Sequence, residues 1–197
     1  MNDTLMRHLV AMIGGGGRLI YSPVGLNTRI ADDLQLSGTV VDLTEVAAGT
    51  GVTFTLESQF PYTYDYDQTE TVLTAGSPTA DLINDGSIPF LPVAKIYGPF
   101  DDFVLQNADA LDALGNPKQI VYDDTLPGAV AVGGGDYIEI SFFHNTVYLN
   151  GSGANRKAGI NIIESDFFPL VVGDNHLTIT SGGTAPDTHI LWQPAWF

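Results

Sequence analysis

The sharpest hydrophobic pattern in the chain has a period of two residues and lies between Gly133 and Thr180. Ile138, Ile140 and Phe142 alternate with Tyr137, Glu139 and Ser141, the signature of a strand with one buried face. Val147 and Leu149 resume the alternation over Thr146–Asn150. His144-Asn145 between the two runs is short and tolerates tight-turn dihedrals, so the spacing predicts a hairpin. Asn150-Gly151 is a further turn signal. Ile160–Ile163 and Phe167–Val172 read as strands, and Gly173-Asp174-Asn175 reads as a turn into the alternating run His176–Thr180. The whole stretch is expected to be one continuous antiparallel meander.

Helical periodicity occurs once, at Asp3–Ile13, where Leu5, Met6, Leu9, Val10 and Ile13 form a stripe that Asn2 or Asp3 can cap. Gly14–Gly17 ends it as a flexible connector. No Walker-type lysine follows, and Arg18–Tyr21 reads as a short strand, so the glycines are not a phosphate loop. Pro23–Asp33, with Arg29, reads as a loop. Leu34–Leu43 and Gly51–Phe60 read as paired strands, and Thr69–Ala75 as another. In the run Ala80–Gly98, Pro89 and Pro92 predict an edge or bulged strand. A strand is expected in Pro99–Gln106, a loop with a weak helical hint at Asn107–Pro117, and short strands at Gln119–Tyr122 and Ala129–Val132. Thr188, Ile190 and Trp192 share one face of a last strand, and Trp196 closes an aromatic end suited to a core or an interface. Gly76-Ser77-Pro78 is the expected boundary between an N-terminal domain (residues 1–75) and a C-terminal one (residues 76–197), whose last strand is free to pack back on the N-terminal part.

Composition narrows the class. Over 197 residues, 44% are apolar, with 22 glycines and 11 prolines, which suits short strands and many turns around a real core. Lys and Arg total 7 against 23 Asp and Glu, a net charge of −16. Such a surface repels phosphates, which argues against specific nucleic-acid binding but leaves room for a lumen through which DNA slides without sticking. There is no cysteine, hence no disulfide, thiol nucleophile or Cys-based zinc site. No apolar run approaches the ~20 residues of a membrane span, and the N-terminus lacks a signal-peptide pattern. A soluble chain with no membrane anchoring, synthesised in the cytoplasm, is expected.

Candidate chemistry is sparse. His8, His144, His176 and His189 show no ligand spacing. A calcium loop begun at Asp81 would put Pro92 where a bidentate glutamate is required. There is no G-x-S-x-G elbow. Glu139 and Glu164 form the only conceivable glycosidase pair and read better as solvated strand residues. Two sequons, Asn2-Asp3-Thr4 and Asn150-Gly151-Ser152, are too short to carry weight without a secretion signal. Tyr62, Tyr64 and Tyr66 alternate in a ladder suited either to stacking on sugar rings or to packing on a neighbouring subunit. No catalytic residue, metal or cofactor is assigned.

An ordered set of motifs resembles one family. Gly86–Asn107 is similar to the opening of the C-terminal domain of siphophage distal tail proteins, and Gly135–Ile140 to their "Gd.v.I" strand. Val147–Gly151 is similar to the "V.lNG" turn, Phe167–Leu170 with Gly173–Ile179 to the "f..L..G.N.i.i" ending, and Trp192–Trp196 to the "W.dAW" tail of minor tail proteins from actinobacterial phages. The N-terminal half, from a helix through GGRLIY to VTFTLESQFPYTYDY, resembles the later part of the family's ring domain and starts without its usual first strands.

The resemblance implies a mainly β chain: an antiparallel, galectin-like β-sandwich preceded by a smaller β-rich ring-type domain with one helix. It implies a non-enzymatic structural protein of the virion, assembled in the host cytoplasm as a hexameric ring. That ring connects the tail tube to the tail-tip or baseplate hub and tape-measure proteins, and DNA merely passes through it. Leu5, Leu9, Ile13, Tyr62, Tyr64, Tyr66, Trp192 and Trp196 are the candidate subunit contacts. Its rivals are a carbohydrate- or receptor-binding sandwich module, on the strength of the tyrosines, and a hydrolase built on Glu139 and Glu164.

Overall fold

The computed structural model describes residues 17–21, 29–37, 55–58, 63–65, 67–151 and 153–197. These form strands almost throughout, with one 3-10 turn at Lys157–Gly159. The helix expected at Asp3–Ile13 lies outside the described residues. The chain divides into two compact units, Met1–Tyr66 with Trp196–Phe197, and Asp67–Ala195. The division falls ahead of the expected boundary at residues 75/76, because the strand at Thr69–Leu73 belongs to the second unit's sheet.

In the first unit, β1 (Gly17–Tyr21), β2 (Arg29–Ser37), β3 (Thr55–Ser58) and β4 (Thr63–Asp65) build an antiparallel sheet around β2. The sheet order is β1-β2-β4-β14, with β14 at Ala195–Trp196, and β3 also pairs with β2. The loop expected over Pro23–Asp33 gives way to β2 from Arg29 onward. Its charges break the apolar pattern, but the backbone is held by ladders on both edges, Ile30 facing Ile20 on one side and Tyr64 on the other.

The second unit is a sandwich. One sheet has five strands in the order β11-β10-β7-β13-β5: Thr146–Leu149, Tyr137–Ser141, Val93–Tyr97, Thr188–Trp192 and Thr69–Leu73. The other has four in the order β6-β12-β8-β9: Thr79–Asn84, Gly173–Thr180, Asp102–Leu111 and Pro117–Asp123. The strand pairings in both sheets are antiparallel. Ile96, Ile138, Ile140 and Ile190 of the first sheet and Leu105, Ile120, Leu177 and Ile179 of the second belong to one buried cluster. Alternation on each inner face is what closes that core.

The β10–β11 hairpin forms as expected, with Ile138 opposite Leu149 and Ile140 opposite Val147. Asn145 takes φ 53° at its turn, and Asn150 and Gly151 take φ 51° and 76° at the next. The continuous meander does not form. After β11 the chain crosses to the other sheet, where β12 inserts between β6 and β8. Ile160–Ile163 is not a strand: Ile160 makes one bridge to Tyr122, and Asn161 Oδ1 then accepts from Ile163 N at 3.2 Å in a side-chain-capped turn. Phe167–Val172 is extended, but only Leu170 bridges, to Phe90, because Pro169 has no N–H to continue a ladder. Gly173-Asp174-Asn175 opens β12 instead of turning. Asn107–Leu111 continues β8 in place of the expected loop. Ala129–Val132 contributes a single bridge, Val132 with Phe100. β7 is an interior strand, not an edge, because Pro89 and Pro92 both precede it.

Candidate functional site

The residues expected to make subunit contacts distribute unevenly. Leu5, Leu9, Ile13, Tyr62 and Tyr66 lie outside the described residues, as does His8. Tyr64 sits half-buried in β4, opposite Ile30. Trp192 is 5% exposed in the sandwich core, and its Nε1 donates to Thr71 Oγ1 at 3.2 Å. Its ring therefore ties β13 to the end strand β5 within one chain and is not on offer to a neighbour. Trp196 is half-buried in β14 beside the exposed Phe197.

Glu139 and Glu164, the pair weighed for hydrolysis, are apart in the topology. Glu139 is on the solvent face of β10, with Lys95 Nζ 3.9 Å away on β7. Glu164 lies in the loop alongside β9 of the other sheet, where its carbonyl accepts from Gln119 Nε2 at 3.4 Å. Among the described residues no group of three or more His, Asp or Glu side chains is arranged to hold a metal ion.

Two histidines act as strand ties. His176 on β12 places Nδ1 2.7 Å from Asp109 Oδ2 on β8 and Nε2 3.8 Å from Asp81 Oδ1 on β6, spanning three neighbouring strands. The hydrogen bond that His176 Nδ1–H donates to Asp109 holds the imidazole protonated to higher pH, and the same bond holds the Asp109 carboxyl below the usual carboxylate range. His189 on β13 places Nδ1 2.7 Å from Glu70 Oε1 on β5 and lies edge-on to Tyr97.

Below these surface pairs lies a buried amide network that sequence reasoning took for loop chemistry. Asn84, Asn107 and Asn175 are all fully buried. Asn107 Nδ2 donates to Asn175 Oδ1 at 2.8 Å, and Asn175 in turn accepts from Val171 N and donates to Val171 O and Gly173 O. Asn84 Nδ2 donates to Ile88 O and Leu170 O, while its Oδ1 accepts from Gly86 N. The three amides lock β6, β8 and β12 to the connecting segments without leaving an orphan polar atom among them.

The surface of the sandwich is where the arrangement offers contacts. Leu111 and Leu114 near the β8–β9 turn, and Ile162 and Ile163 in the loop after the 3-10 turn, are 52%, 87%, 78% and 93% exposed. Both turns are braced: Asp112 Oδ1 accepts from Leu114 N and Asn116 N at 2.8 Å each, and Asn161 braces Ile163. These four apolar side chains therefore face solvent from turns that side-chain hydrogen bonds hold. The Asp–x–x–Gly–Asn run at Asp112–Asn116 was a legible turn signal, but nothing in the pattern marked its leucines as exposed.

The sheet edges differ from one another. β11 is sealed by Leu149 N donating to Ala154 O and Arg156 N to Val147 O, both at 2.9 Å. β9 is sealed by Asn161 N donating to Val121 O at 2.9 Å and Asp166 N to Gln119 O at 2.8 Å. At the other flank, β5 and β6 end their sheets with no outer neighbour strand among the described residues.

Comparison with known proteins matches part of the chain to one family model and its fold to a solved structure. Residues 129–196 match the family model described as siphovirus-type tail component, C-terminal domain. Among solved structures, the chain is similar to the Dit (gp 19.1) protein of phage SPP1, described as a paradigm of the hub adsorption apparatus in phages infecting Gram-positive hosts. That likeness has a TM-score of 0.64 at 14% identity and covers 100% of this chain and 74% of the other. No curated protein matches the sequence. The fold is that of Dit, and the resemblance to siphophage distal tail proteins read from the motifs is borne out.

Proposed function

We propose that this chain, a distal-tail-type protein by its C-terminal domain and its fold, is a structural component of a siphophage virion that sits at the distal end of the tail. The observation that carries this reading is the match of residues 129–196 to a tail-component domain, within a chain whose whole length follows the Dit fold. The finer reading is a ring, hexameric as in the resembling family, between the tail tube and the tip or baseplate hub. Met1–Tyr66 supplies the ring and assembly contacts, and the sandwich is the family's galectin-like domain, carried without enzymatic activity. Tyr64 and the edges of the first unit's sheet are the contacts to probe there.

The charge supports a passage role. A ring built from chains of net charge −16 can present an acidic lumen that repels the outgoing genome and keeps it mobile. Labelling of intact virions with an antibody raised against the sandwich tests the placement. Label is expected at the tail tip, and label on the capsid, or a virion proteome without this chain, would overturn it.

A further inference from the structure

The flank of the sandwich that has no outer neighbour strand among the described residues has the properties of a strand acceptor. β6 is the longer of the two end strands there, six residues, and its register with β12 runs unbroken from Asn84 opposite Gly173 to Thr79 opposite Thr178. Thr79 O accepts from Ser77 Oγ at 3.4 Å. Beyond it, from Ala80 to Ile83, no outward backbone group has a hydrogen-bond partner among the described residues. Proteins blunt such edges with charged side chains, lysine above all, or with proline, inward-pointing charge or a bulge. The strand TADLIN carries a single charge, the outward Asp81, and no lysine, proline or inward-pointing charge; its inward positions are Ala80, the buried Leu82 and the buried Asn84. Its outward side chains are Thr79, Asp81 with 82% side-chain exposure, and Ile83 at 63%. The opposite flank, sealed by the chain's own backbone, shows that this sandwich does cover edges that are to stay solitary.

We infer that the edge of β6 is a docking site for an extended, basic segment of a different protein, which adds as a further antiparallel strand to the four-stranded sheet. Backbone pairing supplies the affinity, and the strip of side chains supplies the choice of partner. An incoming strand sets alternate residues beside Asp81 and Ile83, so it fits best with Lys or Arg at one and an apolar residue two positions away. On β12, Asp174 opposite Ile83 adds a second carboxylate to this face, while His176 opposite Asp81 lies 3.8 Å from its carboxylate and offsets part of its charge. A second copy of this chain, added through the same edge, is the wrong occupant there, since it sets Asp81 strip against Asp81 strip. This inference stands on the sandwich edge alone and holds whether or not the chain sits in a tail.

The test uses the full chain and two short capped peptides, one alternating lysine and valine, the other glutamate and valine. Amide hydrogen exchange is followed by mass spectrometry, with saturating peptide and without. The lysine peptide is expected to slow exchange in Thr79–Asn84 by about tenfold, one decade in the local opening equilibrium, while the glutamate peptide leaves it unchanged. Asp81→Lys, which also removes the 3.8 Å pairing with His176, is expected to exchange the two preferences, and Asp81→Asn to remove them. Ile83→Thr, which keeps strand propensity, is expected to weaken the slowing. Equal slowing by both peptides, slowing confined to β5, or no change in β6 would each overturn the proposal. So would dimers of the free chain that protect β6.

Discussion

Asparagine is the residue type that decides most about this sandwich and reveals least in the sequence. Asn107 and Asn175 occupy inward positions of β8 and β12, where a hydrophobic pattern expects an aliphatic side chain. Read as text, each ends a run of alternation and signals a turn. In the structure each is satisfied by the other and by neighbouring backbone, so neither breaks its strand. Removing one partner of such a network strands the rest in a dry interior. Asn175→Ala is therefore expected to cost about 2–4 kcal/mol in urea unfolding, well above a typical surface substitution. The His176–Asp109 pair gives a second residue-scale expectation. The raised histidine stabilises the fold fully below its ordinary value of 6.5, and that contribution is lost as pH rises through the folded value. The lowered aspartate stabilises it above its ordinary value of 3.8, and that contribution is lost as pH falls through the folded value. Both act together from about pH 4 to about pH 6.5. The difference in Tm between wild type and Asp109→Asn should be largest in that window and shrink on either side of it.

At the scale of elements, local alternation identified those strands whose partners are close in sequence. The β10–β11 hairpin was legible because Ile138, Ile140, Val147 and Leu149 keep strict period two around a turn tolerant of positive φ. Ile160–Ile163 was misread because apolar residues alone do not make a strand. Without a ladder the segment turns, and its last two side chains face solvent. The 3-10 turn just before it is fixed by contact, not by propensity. A Cβ on Gly159 would meet the ring of Tyr122, which is fully buried, stacks on Phe103 with an interplanar angle of 6°, and donates its hydroxyl to Val130 O at 2.7 Å. Gly159→Ala is therefore expected to push the turn off β9 at a cost of about 1–3 kcal/mol, read from thermal unfolding. Gly128→Ala tests a different constraint, the positive φ of 84° at a glycine with more room around it.

At the scale of the molecule, the fold class and the resemblance to distal tail proteins were legible, but the strand order was not. Motif order along the chain does not say that β12 inserts between β6 and β8, or that β7, flanked upstream by prolines, is central. Those neighbours are chosen by long-range packing of two inner faces on one core. Of the candidate contacts, Trp192 serves the core, while Leu5, Leu9, Ile13, Tyr62 and Tyr66 lie outside the described residues. Net charge remains the property that any assembly must overcome. With −16 per chain, self-association should strengthen as salt rises from about 0.05 M to about 0.5 M, because the Debye length shrinks about threefold over that range. Sedimentation across a salt series would read that trend directly. The most direct check of the ring at the centre of the proposed function is the native mass of the purified protein by light scattering, with negative-stain images of the same sample. Closed rings of one stoichiometry, six-fold by the family's precedent, are the predicted result. A monodisperse monomer at every concentration and salt, with and without tail-tube protein, would contradict it.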